Sequence, residues 1–264
     1  MSTHSRNRTP LRQHRFTSSA RRLTIDRRDV WTQLYKFYSF LVLAPDMSDC
    51  LERTWEAITA SYGIDDNFRD EWWIKILQNY SDERRKYHNL TFLENKFKHL
   101  DEVKHKIKNI NVLSFAIFFQ YLEYDPSQGQ TCQDRNLEQF WKFVNEARIS
   151  NQDDTGIYSE VTYLLNIEST DEHKAPDTYG NDDIHYFLDL DMLELGTPPE
   201  DYLSYTQKLR EEYEFLTDQV YFSLRIKLLQ NFLQIPNIYA TKEFRDRYES
   251  IARTNIEQEI QRLQ

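Results

Sequence analysis

A chain of 264 residues, 39% hydrophobic and 14% aromatic, has the material for one sizeable core, and one globular domain is the expectation. No apolar run approaches the roughly 18–20 residues of a membrane helix; the longest are FLVLA at 40–44 and VLSFAIFF at 112–119, so a soluble protein without a membrane partner is expected. Residues 1–28 hold eight arginines and one acid, Asp26, a balance of +7 that leaves −17 on the rest of a chain whose total is −10, and so acidic a body argues against a nucleic-acid partner.

The first element, 1–28, is rich in Arg, Ser and Thr and poor in acids. That composition suits a disordered, phosphorylatable basic arm on a cytoplasmic protein, with a mitochondrial transit peptide as the competing reading. Leu11, Phe16, Leu23 and Ile25 form only a thin apolar face, which favours the arm, and RRLT ending at Thr24 resembles a basic-directed kinase site.

Residues 29–264 read as a single all-α domain. All five glycines and all seven prolines fall between apolar periodic segments, as in a chain punctuated into helices. The segments run over 29–44, 48–61, 67–80, 89–105, 110–123, 133–149, 157–170, 182–195, 199–213, 217–234 and 241–262. In the last, Phe244, Tyr248, Ile251, Asn255 and Ile256 recur on one face. The polar stretch DEHKAPDTYGNDD at 171–183 is a loop, interrupted by Pro176 and Gly180. Cys50 and Cys132 give neither a disulfide framework nor paired metal-ligand spacing and are expected as small buried hydrophobes.

Four segments carry a more specific signal: RKYHNLTFL at 85–93, AIFFQYLEYDP at 116–126, TDEH at 170–173 and LDLDMLELGTPPEDY at 188–202. In that order and over some two hundred residues the chain resembles the predicted metal-dependent phosphohydrolases of the HD superfamily. Their mainly bacterial branch carries R-x-Y-H-N-L-x-H-I, A-x-W-F-H-D-A-x-Y-D-P, T-x-x-H and L-D-A-D-L-x-x-L-G-x-P-P-E-x-Y. The resemblance implies an HD-domain-like helical bundle in which His and Asp side chains converge on one or two divalent metals. A metal so held lowers the pKa of bound water and yields a nucleophile near neutral pH.

The ligand positions are altered in this chain. The family's His of L-x-H-I falls on Phe92, its His-Asp doublet on Gln120 and Tyr121, and its last Asp on Asp191. Phe offers no donor atom, Gln a neutral carbonyl oxygen, and Tyr is an uncommon ligand for such metals. Residual ligands to consider are His88, His173 and Asp189, with Glu123 as a possible relocated carboxylate. His88 reads equally as a hydrogen-bonded structural residue, and His173 as a solvated loop residue. Asp189 and Asp191, two apart on a helix, diverge by about 200°; one can face the centre, and the other is expected as a surface or salt-bridged acid. Asp125, before Pro126, is expected to cap a turn.

Arg85, Arg210, Arg225 and Arg253 match basic positions of the family. A planar guanidinium suits phosphate, yet in so acidic a chain ion pairs with Asp and Glu are the expectation. The resulting functional expectation is a catalytically inactive HD-phosphohydrolase-like protein without a cofactor. It would serve as a binding or scaffold module for a protein partner or a phosphorylated small ligand. The competing expectation is an active phosphohydrolase with a rearranged Mn, Fe, Ni or Zn site. On the first, Phe92 and Tyr121 pack together, with the Tyr121 hydroxyl bonded to Gln120, His173 or Asp191.

Overall fold

The computed structural model describes residues 45–128, 131–149 and 156–264. The arm 1–28 and the helix expected over 29–44 lie outside the described residues. Ten helices follow: α1 Pro45–Ala60, α2 Asp66–Tyr80, α3 Leu90–Val103, α4 Ile110–Gln120, α5 Thr131–Glu146, α6 Ile157–Asn166, α7 Asp183–Asp191, α8 Pro199–Glu212, α9 Asp218–Gln234 and α10 Lys242–Leu263. The fold is all-α, and no strand occurs among the described residues. Gly180 and Thr241 form an isolated parallel bridge. No helix among them is long and apolar enough to cross a membrane.

Short polar side chains start these helices by accepting from otherwise unpartnered N–H groups. Asp65 takes the amides of Asn67 and Phe68, Asn89 those of Thr91 and Phe92, and Asn109 that of Val112. Pro199 opens α8 at a position where no amide is needed.

Several ends come earlier than apolar periodicity suggests, and at two of them an outside donor takes a carbonyl at or just past the end. α4 stops at Gln120 rather than 123, where the Arg85 guanidinium reaches the carbonyls of Tyr121 and Leu122, each at 2.7 Å. α6 stops at Asn166 rather than 170, and Gln133 Nε2 donates to the Leu165 carbonyl at 2.9 Å. α7 stops at Asp191 rather than 195, and the chain tightens into a 3-10 turn, Leu193–Gly196, packed under α10. The loop at 171–183 likewise contains one 3-10 turn, Asp171–His173.

α4 is the axis of the bundle. Its run Val112–Phe119 is buried on every face, as an apolar helix must be, and α1, α3, α5, α6 and α7 pack around it. Trp55 of α1 anchors the near side, with ring centroids 5.8, 5.3 and 5.4 Å from Phe115, Phe118 and Phe143. Each such side chain contributes roughly 1.5–3 kcal/mol on burial. α9 and α10 pair on the other side, and α8 and α10 border the segment that follows α7.

Gly196 permits that approach. A Cβ there would lie 2.5 Å from Tyr248 Cβ and 2.8 Å from the Tyr239 hydroxyl oxygen. Cys50, expected in the core, is exposed near the start of α1. Cys132 is half-buried, its Sγ donating to the Asp125 carbonyl at 3.0 Å.

Candidate functional site

α3, α4 and the end of α7 converge where the family's metal ligands would fall. Phe92 and Lys96 lie four apart on α3 and so share a face. Gln120 ends α4, Tyr121 follows it, and Asp191 is the last residue of α7. Of the two divergent acids on α7, Asp191 is the one that faces this point.

A cation of the protein's own occupies the space between them. Lys96 Nζ donates to Asp191 Oδ1 at 2.6 Å and to Gln120 Oε1 at 2.7 Å. The Tyr121 hydroxyl donates to the same carboxylate, 3.1 and 3.0 Å from its two oxygens. Of the three acceptors open to that hydroxyl on the sequence, it takes Asp191. The rings of Phe92 and Tyr121 meet at 5.4 Å with an interplanar angle of 83°, and the ammonium sits 4.8 and 5.0 Å from their centroids. Cation–π attraction at those distances adds to the ion pair.

The electrostatics follow from burial. The Lys96 side chain is 3% exposed and that of Asp191 15%. Burial lowers the Lys96 pKa, and the Asp191 charge and hydrogen bond offset part of that loss. Burial, reinforced by Asp191, raises Tyr121 well above the ordinary phenol range, so this residue keeps its proton and acts as a donor. The set fits a metal poorly: Phe92 has no donor atom, Tyr121 is not a phenolate, and Asp191 is already matched by an ammonium. Among the described residues no group of three His, Cys, Asp or Glu side chains is placed to hold an ion.

The other candidates serve structural bonds. His88 Nδ1 pairs with Glu212 Oε2 at 2.7 Å, and Glu212 Oε1 accepts the amides of Tyr87 and His88, each at 2.8 Å. Tyr124 donates to Glu212 Oε2 at 3.0 Å. Burial pushes the Glu212 carboxyl up, but bonding to His88 and these amides outweighs it and holds the pKa below its ordinary value. The His88 ring is packed among Tyr87, Phe92, Tyr121 and Tyr124, with centroids 4.2–5.1 Å away.

His173, expected as a solvated residue or ligand, is buried, and its Nδ1 takes the Thr170 amide at 3.2 Å. Burial lowers its pKa. Asp189, expected at the surface or in a salt bridge, is fully buried instead. It accepts from Ala240 N at 2.7 Å, Thr241 N at 2.9 Å and Thr241 Oγ1 at 2.6 Å, tying α7 to the start of α10. Asp125 does cap a turn, accepting from Ser127 N at 3.0 Å. Glu123 meets Asn136 through its backbone, Asn136 Oδ1 accepting the Glu123 amide at 2.6 Å.

The arginines divide. Arg225 pairs with Glu259 through two bonds of 2.8 and 3.1 Å, both side chains buried. Arg210 pairs with Asp218 at 2.7 Å, and Arg253 with Glu249 at 2.7 Å. Arg85 departs from the expected ion pair. It is buried against the backbone carbonyls that end α4, where a cation complements the helix dipole. Each of the four guanidiniums has acceptors within the chain.

Lys96 is the residue that sequence reasoning missed. Its signal was its register: it lies on the buried face of α3 with Phe92, Leu93, Phe97 and Leu100. Comparison with family models, curated proteins and solved structures finds no match for this chain.

Proposed function

We propose that this chain is an HD-phosphohydrolase-like protein in which an internal lysine has replaced the metal, and that it works as a binding or scaffold module rather than a hydrolase. The observation that carries the reading is the Lys96 ammonium held between Asp191 and Gln120, beside Tyr121 and Phe92. A divalent ion placed about 4 Å from that ammonium would meet a repulsion of about 8 kcal/mol at an effective dielectric of about 20. Asp191, the one carboxylate the resemblance leaves at the centre, is thereby spent on an internal cation. The first and last motifs of the resemblance then serve packing: Arg85 binds the carbonyls that follow α4, His88 docks on Glu212, Asp189 holds the start of α10, and Gly196 admits Tyr248.

The test is metal titration of the purified full chain with Mn²⁺, Ni²⁺ and Zn²⁺, followed by thermal melting with and without chelator. A bound ion stabilises the native state by mass action. The expected result is no stoichiometric metal and an unchanged melting temperature. Near-equimolar metal, with melting lowered by chelator, would favour a working phosphohydrolase with a rearranged site and overturn this reading.

A further inference from the structure

His88 and Glu194 each carry a hydrogen-bonding group without a partner among the described residues. Glu212 accepts from the Tyr87 and His88 amides and from the Tyr124 hydroxyl, and as an acceptor it also fixes the proton of the His88 ring on Nδ1, 2.7 Å away. In the neutral ring the lone pair then lies on Nε2. That nitrogen makes no hydrogen bond to a described residue, yet it is not sealed off. The orphaned polar atoms that solvent does not reach are Trp73 Nε1, Arg85 Nε and the Tyr221 and Tyr248 hydroxyls, whereas the His88 side chain stays 11% exposed. Glu194 is half-buried, and its carboxylate has no hydrogen bond or ion pair among the described residues. Burial raises its pKa, Lys208 opposing the rise and Asp201 adding to it.

Both residues line one space. A cavity of about 140 Å³ is bordered by His88 and Glu194, and a second, of about 350 Å³, shares Tyr87, Phe92, Glu194 and Tyr205 with it. The smaller has room for about four or five waters at about 30 Å³ each. The larger falls within the range of small-molecule pockets, roughly 300–1,000 Å³.

Charge favours a ligand of neither sign there. Lys86 and Lys208 border the larger cavity together with Glu194 and Asp201. At the smaller one, Arg225 is matched by Glu259 and Asp191 by Lys96. A cation would meet those lysines and find Lys96 already beside the Phe92 and Tyr121 rings. An anion would meet Glu194 and Asp201. An apolar molecule would strip water from Nε2 and from the carboxylate and return no hydrogen bond. The chemistry left is that of an uncharged molecule with hydroxyl groups to donate.

We propose that the two cavities together bind a neutral polyhydroxylated molecule of about monosaccharide size, one hydroxyl donating to His88 Nε2 and another to the Glu194 carboxylate. Glu212 acts through His88, holding the ring so that its acceptor nitrogen is the one left for the ligand. Thr91, Asn95 and Ser204 line the larger cavity and give the remaining hydroxyls polar neighbours. The inference rests on the reading of the chain as a binding module and makes its ligand uncharged rather than phosphorylated.

The experiment is an NMR titration of the full chain with myo-inositol, glucose and ribose, read on the ring nitrogens of His88, with glucosamine and glucose 6-phosphate as charged counterparts. The His88 spectrum is expected to show the proton on Nδ1, and the Nε2 signal to shift saturably with at least one of the neutral polyols. Neither charged counterpart should bind more tightly than glucose. His88→Asn keeps a donor for Glu212 at the place of Nδ1 and deletes the acceptor at Nε2; it should weaken polyol binding several-fold, and Glu194→Gln by about tenfold. No saturable shift with any of the three polyols would overturn the proposal, as would tighter binding of glucose 6-phosphate or glucosamine. Affinity unchanged in a folded His88→Asn would overturn it too, and should that variant fail to fold, an unchanged Glu194→Gln decides the same way. The metal titration above tests the centre separately: metal uptake would overturn that reading, whereas a metal-free chain that binds no polyol would overturn only this one.

Discussion

The Lys96 ammonium and the Asp191 carboxylate meet at 2.6 Å although they lie 95 residues apart, one on α3 and the other at the end of α7. A buried pair of this kind is costly to break from one side, because the remaining charge is left without a counter-ion; the loss is about 3–5 kcal/mol. Lys96→Met and Asp191→Asn are each expected to destabilise by that order. The double variant should lose clearly less than the two singles together. Urea denaturation of the four proteins measures the coupling, and strictly additive losses would show that the pair does not act as a unit.

Rebuilding a metal site should fail while Lys96 remains. The combination Phe92→His, Gln120→His and Tyr121→Asp removes two packed aromatics at about 3 kcal/mol each, so it should melt well below the parent in chelator. Added Mn²⁺ or Ni²⁺ should not restore it until Lys96→Ala is included, after which part of the loss should return. Melting curves with and without metal decide the point. A triple variant as stable as the parent would show that these positions do not line a packed centre.

Asp189 gives a pH dependence of opposite sign to that of a salt-bridged acid. Burial pushes its pKa from 3.8 up to about 6, against the pull of three donors from Ala240 and Thr241. The native state therefore holds a proton that the unfolded chain releases, and this contribution to stability falls as pH rises from about 4 to about 6. The lowered pKa values of Glu212 and His173 act in the other direction as pH falls, so the Asp189 effect is best read as a difference. The stability of the parent minus that of Asp189→Asn should decline with pH across that window, as measured by denaturant unfolding. A flat difference would remove Asp189 as the cause.

Gly196→Ala places a methyl group 2.5 Å from Tyr248 Cβ and 2.8 Å from the Tyr239 hydroxyl. Neither neighbour can yield easily: Tyr248 Cβ is fixed to α10, and the Tyr239 hydroxyl donates to the Met192 carbonyl at 2.9 Å. Overpacking of this kind costs about 1–3 kcal/mol. The expected result is a lower denaturation midpoint with unchanged helix content by circular dichroism.

Helix order was legible in the sequence because glycine and proline disfavour helix interiors, and none stands in the middle of a periodic segment. Helix ends were less so. The groups at the ends of α4 and α6 are Arg85 and Gln133, which reach backbone carbonyls, and a carbonyl carries no residue identity to read. Asp191 was placed by the resemblance, the spacing of LDLD adding only that one of two acids two apart on a helix can face the centre. Its partner could not be placed. A lysine on an apolar face is ordinarily a surface residue whose stem covers the core while its head reaches water, and only the three-dimensional meeting with α7 shows the head turned inward.

Glu212 fastens both its oxygens to a segment more than a hundred residues upstream, the amides of Tyr87 and His88 and the His88 ring. The ribosome delivers that segment, and α4 after it, well before the last turn of α8 exists. Domains that depend on distant pairings pay the entropy of closing long loops late, so the aromatic surround of His88 sets only when the second half of the chain has emerged. Fragments ending before Glu212 should therefore emerge from synthesis with α1 and α4 able to collapse on each other but with Tyr87 and His88 lacking the carboxylate that fastens them.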